Sequence, residues 1–230
     1  MKTLAKTDVQ VDRSLVDVRT FSDYFAKFGK IFITIALLWF LTDVISYASF
    51  FFGPSLIAKS VGINNGAIFQ FIIEFGFVIP GGLTQMALID KIGRKPLMML
   101  GYIGIAVSLL LFSTLKALIP AFVALIMFGM SHFSSSLGPG AIAGMLGVEL
   151  APTKVRTLVQ AMAVSISRMG GALTSFVFPF LFSMFSESVA IGFLSAVAFI
   201  AVALTFFIIP ETKGKALEEA SGEELIPLDI

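Results

Sequence analysis

Six long stretches of the chain are almost wholly apolar: residues 31–52, 67–89, 97–115, 120–148, 158–185 and 189–209. Short polar links separate them. Pro54, Asn64-Asn65-Gly66, Pro96, Pro152 and Pro210 punctuate their ends, where such residues favour turns over continued helix. At 1.5 Å of rise per residue, about 20 apolar residues cross the ~30 Å hydrocarbon core of a bilayer. The pattern therefore predicts an all-α membrane protein with six transmembrane helices in one bundle. The fourth and fifth stretches are longer than a crossing needs, which predicts tilt, a bend or projection into the cytoplasm. Ahead of the first stretch, Leu15, Val18, Phe21, Phe25 and Phe28 recur at three- or four-residue steps. That spacing predicts a short amphipathic helix on the membrane surface, leading into the first span. Residues 1–13 and the acidic residues 217–230 carry no packing pattern and are expected to be disordered. The chain thus divides into an N-terminal cytoplasmic segment (1–29), a transmembrane bundle (30–210) and a cytoplasmic tail (211–230).

Composition agrees with this pattern and closes off other classes. The 230 residues are 57% hydrophobic and 13% charged, against roughly 45–50% and 25% in soluble domains. Mean hydropathy is +0.96. Without cysteine and with His132 as the sole histidine, neither a disulfide framework nor a metal set is expected, and no cofactor is implied. A net charge of +1 gives no basic surface for nucleic acid. No nucleophile–base pair suggests an enzyme. The first 18 residues are polar and mixed in charge, unlike a cleaved signal peptide. Charge also sets orientation. Lys2, Lys6, Arg13, Arg19, Lys27, Lys30, Lys91, Arg94, Lys95, Lys154, Arg156, Lys213 and Lys215 all fall on one side of a six-span layout. Only Lys59 and Lys116 fall on the other. The bias of Lys and Arg towards the cytoplasm then places both termini on the cytoplasmic side of the cell membrane.

Candidate chemistry lies in the ionisable groups at bilayer depth. Asp43 and Tyr47 are the only ones in the first stretch, Glu74 lies in the second and Arg168 in the fifth. A carboxylate at the centre of a span costs roughly 2.5–3.5 kcal/mol on the insertion scale, so it faces protein or a water-filled cavity and marks a proton or substrate site. A mid-span Arg needs a counter-ion, and its planar guanidinium grips a carboxylate or phosphate through two parallel hydrogen bonds. Arg168 is therefore expected to pair with Asp43 or Glu74, or to hold an anionic substrate. Glu74 precedes Pro80-Gly81-Gly82, where the helix is expected to break and expose backbone groups to a cavity. Gly138-Pro139-Gly140 and Gly170-Gly171 are candidate hinge and close-packing positions. His132 reads as a hydrogen-bonded interior group.

Several motifs carry a resemblance. Asp90-Lys91-Ile92-Gly93-Arg94-Lys95, Glu149-Leu150-Ala151-Pro152-Thr153-Lys154-Val155-Arg156 and Pro210-Glu211-Thr212-Lys213-Gly214 stand at successive span ends. They are similar to the links after spans eight and ten and the ending after span twelve of major facilitator superfamily transporters. Trp39-Phe40-Leu41, Asp43, Pro80-Gly81 and Gly138-Pro139 resemble the phosphate:proton symporter family within that superfamily, and metabolite:proton symporters share much of the pattern. Gly82-Leu83 and Gly140 stand where the phosphate family has an aromatic pair and an Asn, and Arg168-Met169 where it has a Lys directly before Gly. The Gln-Gln and Tyr-Tyr pairs of sugar porters are absent from the first span, which disfavours a hexose.

The resemblance implies the C-terminal six-helix half of a proton-coupled transporter for a small anion, phosphate or an organic acid. Asp43, Arg168, Glu74 and Tyr47 would serve substrate and proton, and Asp90, Arg94, Glu149 and Arg156 would form a cytoplasmic gating network. Its partners would be the bilayer, protons, the anion, and either a separate N-terminal half or a second copy of the chain. The alternatives are a sugar-porter-like half and a non-transporting fragment or membrane sensor.

Overall fold

A computed structural model describes residues 20–222. Six helical stretches are long and apolar enough to cross a membrane: Phe21–Ser60, Gly66–Ile92, Arg94–Leu118, Ala121–Glu149, Arg156–Met184 and Glu187–Ile208. The first consists of α1 (Phe21–Phe52), a π-helical turn (Gly53–Ile57) and α2 (Ala58–Ser60). Asp23 Oδ2 closes its first turn, accepting from Thr20 N at 2.7 Å and Thr20 Oγ1 at 2.8 Å, as a capping residue does. Pro54, which has no N–H to give, sits in the π turn, so the helix passes it instead of ending there.

The start of α1 differs from the expectation of a separate surface helix. The helix runs unbroken from Phe21 into the span, while Leu15 and Val18 lie outside the described residues. The reason is packing. Phe21, Phe28, Tyr24 and Phe32 bury against Ala151, Val155 and Val159, around the link between the fourth and fifth spans. The aromatic stripe thus finds protein where lipid was expected.

The second span joins α3 (Gly66–Ile73), a π-helical turn (Glu74–Val78) and α4 (Ile79–Ile92). Asn65, read as punctuation, is its N-cap: Oδ1 accepts from Ala67 N at 2.9 Å and Ile68 N at 3.2 Å. The break expected at Pro80-Gly81-Gly82 does not occur. The helix widens earlier, in the π turn that begins at Glu74, and Pro80 enters the first turn of α4, where its missing N–H costs least. The third span is α5 (Arg94–Leu115) with a short 3₁₀ end (Lys116–Leu118). The fourth does break, as its glycines suggested: α6 (Ala121–Leu137) stops at Gly138, and α7 (Pro139–Glu149) begins at the proline. The fifth, α8 (Arg156–Met184), continues through Pro179, and the sixth is α9 (Glu187–Ile208).

α1 packs along α8 and also touches α7 and α9, α5 lies between α6 and α9, and α4 leans on α6. The most apolar window of the first span is 61% buried and that of the second only 17%, so α1 is the axis and the second span a flank. Where α8 meets α1, a Cβ on Gly170 would come within 2.6 Å of the Phe40 carbonyl oxygen. Only glycine permits that approach. The interior is closed by Ile35, Leu38, Tyr102, Phe112 and Phe128, with the Tyr102 hydroxyl 2.6 Å from Thr42 Oγ1. Part of the tail is folded, contrary to the expectation of disorder. Leu217–Ala220 forms α10, Ser221 is buried, and Gly222 comes up against Phe28. Residues 223–230 lie outside the described residues.

Candidate functional site: a polar cavity beside an arginine–aspartate pair

Asp43 lies on α1 with only 9% of its side chain exposed, and Arg168 reaches it from α8 with Nη1 3.2 Å from Oδ2. The same nitrogen donates to the Tyr47 hydroxyl at 2.8 Å. Tyr47 stands one helical turn after Asp43, so both project from one stripe of α1. The guanidinium carbon is also 5.9 Å from the centroid of the Tyr47 ring, within reach of a cation–π contact. These contacts use one edge of the guanidinium. Its side chain remains 57% exposed, and the rest of its donor fork makes no hydrogen bond to the described residues, which leaves it able to meet a second anion. Of the two carboxylates weighed for Arg168, the pair forms with Asp43.

Glu74 is engaged elsewhere. Its Oε1 accepts from Gln70 Nε2 at 2.8 Å, one turn back on α3. Both residues line a cavity of about 690 Å³ between the first, second and fourth spans. Ser46 and Tyr47 form one wall, Gln70, Glu74 and Gln85 the second, and Ser131, His132, Ser135 and Ser136 the third. No Lys or Arg contributes to the lining. His132 Nδ1 is 3.1 Å from the Phe128 carbonyl oxygen. A carbonyl can only accept, so Nδ1 carries a proton, and in the neutral ring Nε2 is then the acceptor. Gln85 is 92% buried, and its Nε2 has no hydrogen-bond partner among the described residues. Tyr47 lines the cavity and its hydroxyl accepts from the arginine, so one side chain joins the two features.

At the end of the bundle where the second and third spans meet, the four residues expected to form a gating network are connected differently. Arg94 Nη1 is 3.1 Å from Asp90 Oδ1, and Arg94 Nε is 3.3 Å from Glu149 Oε1. Arg156 does not join them. Its Nε donates to the Ala151 carbonyl at 3.1 Å, holding the turn that carries it, and its buried Nη2 has no partner among the described residues. Glu211 and Thr212 take its place. Thr212 Oγ1 donates to Glu149 Oε2 at 2.6 Å, and the Glu211 carboxylate accepts from the backbone N–H groups of Arg94, Lys95, Thr212 and Lys213 at 2.8–3.1 Å. Glu211 therefore caps α5 from the far side of the chain. It presses so close to Gly93, whose φ is +105°, that a Cβ there would lie 2.6 Å from the carboxylate. The opposite end has a clasp of its own: Glu187 pairs with Lys116 and accepts from Ser60 Oγ at 2.6 Å.

Residues 2–223 match the family model described as sugar (and other) transporter. The chain belongs to that family. Within it, the chain is 27% identical over 250 residues to the probable inorganic phosphate transporter 1-6 of Arabidopsis thaliana, covering 97% of this chain and 48% of that one. It is 26% identical to the glucose transport protein of a Synechocystis strain, covering 92% and 49%. Among solved structures, the major facilitator superfamily proton:xylose symporter XylE bound to 6-bromo-6-deoxy-D-glucose superimposes with a TM-score of 0.76 at 22% identity. That alignment covers 88% of this chain and 44% of the symporter. The chain is a multi-pass membrane protein with a partial major facilitator fold, and it spans about half the length of the relatives it matches.

Sequence reasoning located Asp43, Tyr47, Glu74 and Arg168 but missed most of the cavity. The signal was present: Gln70, Glu74, Val78 and Gln85 fall on one face at 3.6 residues per turn, and all four line the cavity.

Proposed function

We propose that the chain acts as one six-helix half of a proton-coupled transporter for a small anion, with both termini in the cytoplasm. The observation that carries this reading is Arg168, tied by one nitrogen to the buried Asp43 and to Tyr47, a residue of the cavity wall, yet more than half exposed. A cation so placed can hold Asp43 when the acid is ionised and receive an anion when it is protonated. Proton binding and anion binding thereby favour one another. A complementary bundle would close the other wall, since alternating access rocks two bundles about a midplane site.

The reading is tested by uptake into vesicles carrying the chain together with a complementary six-helix half. Arg168→Lys keeps the charge but loses the planar fork, so anion uptake should fall sharply. Unchanged uptake in Arg168→Met would contradict the proposal. A second reading, a half that carries a neutral sugar, draws support from the cavity, whose lining holds Glu74 but neither Lys nor Arg. In that case sugar uptake would survive Arg168→Met within a few-fold.

A further inference from the structure

The cavity asks for more than an anion. Its volume, about 690 Å³, falls within the roughly 300–1,000 Å³ of sites for multi-atom organic ligands. At about 30 Å³ for each water-sized group, a tetrahedral oxyanion of five heavy atoms fills roughly 150 Å³ at most. The polar groups on the wall are of mixed sense. Among the described residues, Gln85 Nε2 is a buried donor without a partner and Glu74 Oε2 accepts no hydrogen bond, while His132 Nε2 is an acceptor in the neutral ring. A carboxylate or phosphate presents chiefly acceptors. It would satisfy Gln85 but face the lone pairs of His132 and Glu74. A hydroxyl donates and accepts at once, so a row of hydroxyls answers all three. The positive charge lies to one side, where Arg168 meets the hydroxyl of Tyr47.

We infer that the cavity takes a polyhydroxylated monocarboxylate, its carboxylate against Arg168 and Tyr47 and its hydroxyls against Gln85, His132 and Glu74. This inference rests on the anion reading above and narrows it. A buried polar group left unpaired costs about 1–3 kcal/mol, so Gln85 disfavours any ligand that leaves it unanswered. Glu74, at the start of the π turn, discriminates against ligands that bring a second negative charge.

The test is ligand-induced thermal stabilisation of the purified full chain in detergent, titrated with D-gluconate, D-glucose, acetate and inorganic phosphate. D-Gluconate should bind about tenfold more tightly than each of the other three, one bidentate contact or a few hydrogen bonds being worth the equivalent free energy. Arg168→Met should reduce gluconate to the level of glucose, and Gln85→Met, which keeps the volume but removes the amide, should weaken it about tenfold. The ranking in the unmodified chain needs no variant to fold. Phosphate binding as tightly as gluconate would overturn the ligand class and leave the anion reading standing. Equal binding of glucose and gluconate, unaffected by Arg168→Met, would overturn both. Stabilisation by none of the four would overturn the inference that this bundle carries the site.

Discussion

Tyr47 is the residue on which the proposed chemistry turns, because it hydrogen-bonds the arginine and lines the cavity. A hydrogen bond to a charged group is worth about 1.5–3 kcal/mol, and the exposure of Arg168 puts this one at the lower end. Tyr47→Phe should therefore raise KM for anion uptake about tenfold while leaving the melting temperature of the bundle within a few degrees, measured on the same preparation. Parallel assays of Asp43→Asn, which mimics the protonated acid, should show lost proton-driven accumulation with exchange retained. An unchanged response to a pH gradient would remove Asp43 from the coupling. These residues were legible because a charge in a 22-residue apolar run is costly and therefore conspicuous. Gln85 and Ser135 were not, since an amide or a hydroxyl in a span is common and cheap. Only the fold reveals that such groups share one cavity.

The helices themselves were read correctly, and the errors fall at their ends and joints. Hydrophobic length fixes a span, but what a proline does depends on its neighbours. Pro139 follows a glycine that leaves helical geometry and the span breaks there, whereas Pro54 sits inside a π turn and Pro80 just after one, turns that sequence periodicity does not announce. The cap of α5 escaped notice for a different reason: Glu211 lies 117 residues from Arg94 in the chain, and local pattern carries no information at that range. Its energetic role is open to measurement. Glu211→Ala removes an anionic acceptor from a helix N-terminus, a loss of about 0.5–2 kcal/mol. Thermal unfolding should then begin roughly 1–8 °C lower, with Glu211→Gln falling less. No change would mean that the carboxylate is already exchanged with water.

At the scale of the whole molecule, the bundle is stapled at both ends, by Glu211 and Glu149 on one side and Glu187 on the other. Both staples join parts of the same six helices, so it is expected to move as one body against whatever faces it. The proposed orientation predicts that cysteines introduced at Ser60 and Ser186 label from outside intact cells and that one at Thr153 labels only after permeabilisation. Labelling at position 153 in intact cells would reverse the layout.

The central claim, that Asp43 and Arg168 are a working pair and not a structural one, is tested most directly by uptake in the double variant. Asp43 is buried but Arg168 is 57% exposed, so removing the arginine strands a buried carboxylate at a cost of up to about 3–5 kcal/mol, whereas removing the carboxylate leaves a cation that water can solvate and costs far less. Asp43→Asn combined with Arg168→Met, assayed with a complementary half, restores neutrality in both cases. A working pair predicts a folded protein that no longer accumulates the anion. Full recovery of proton-driven accumulation would contradict it.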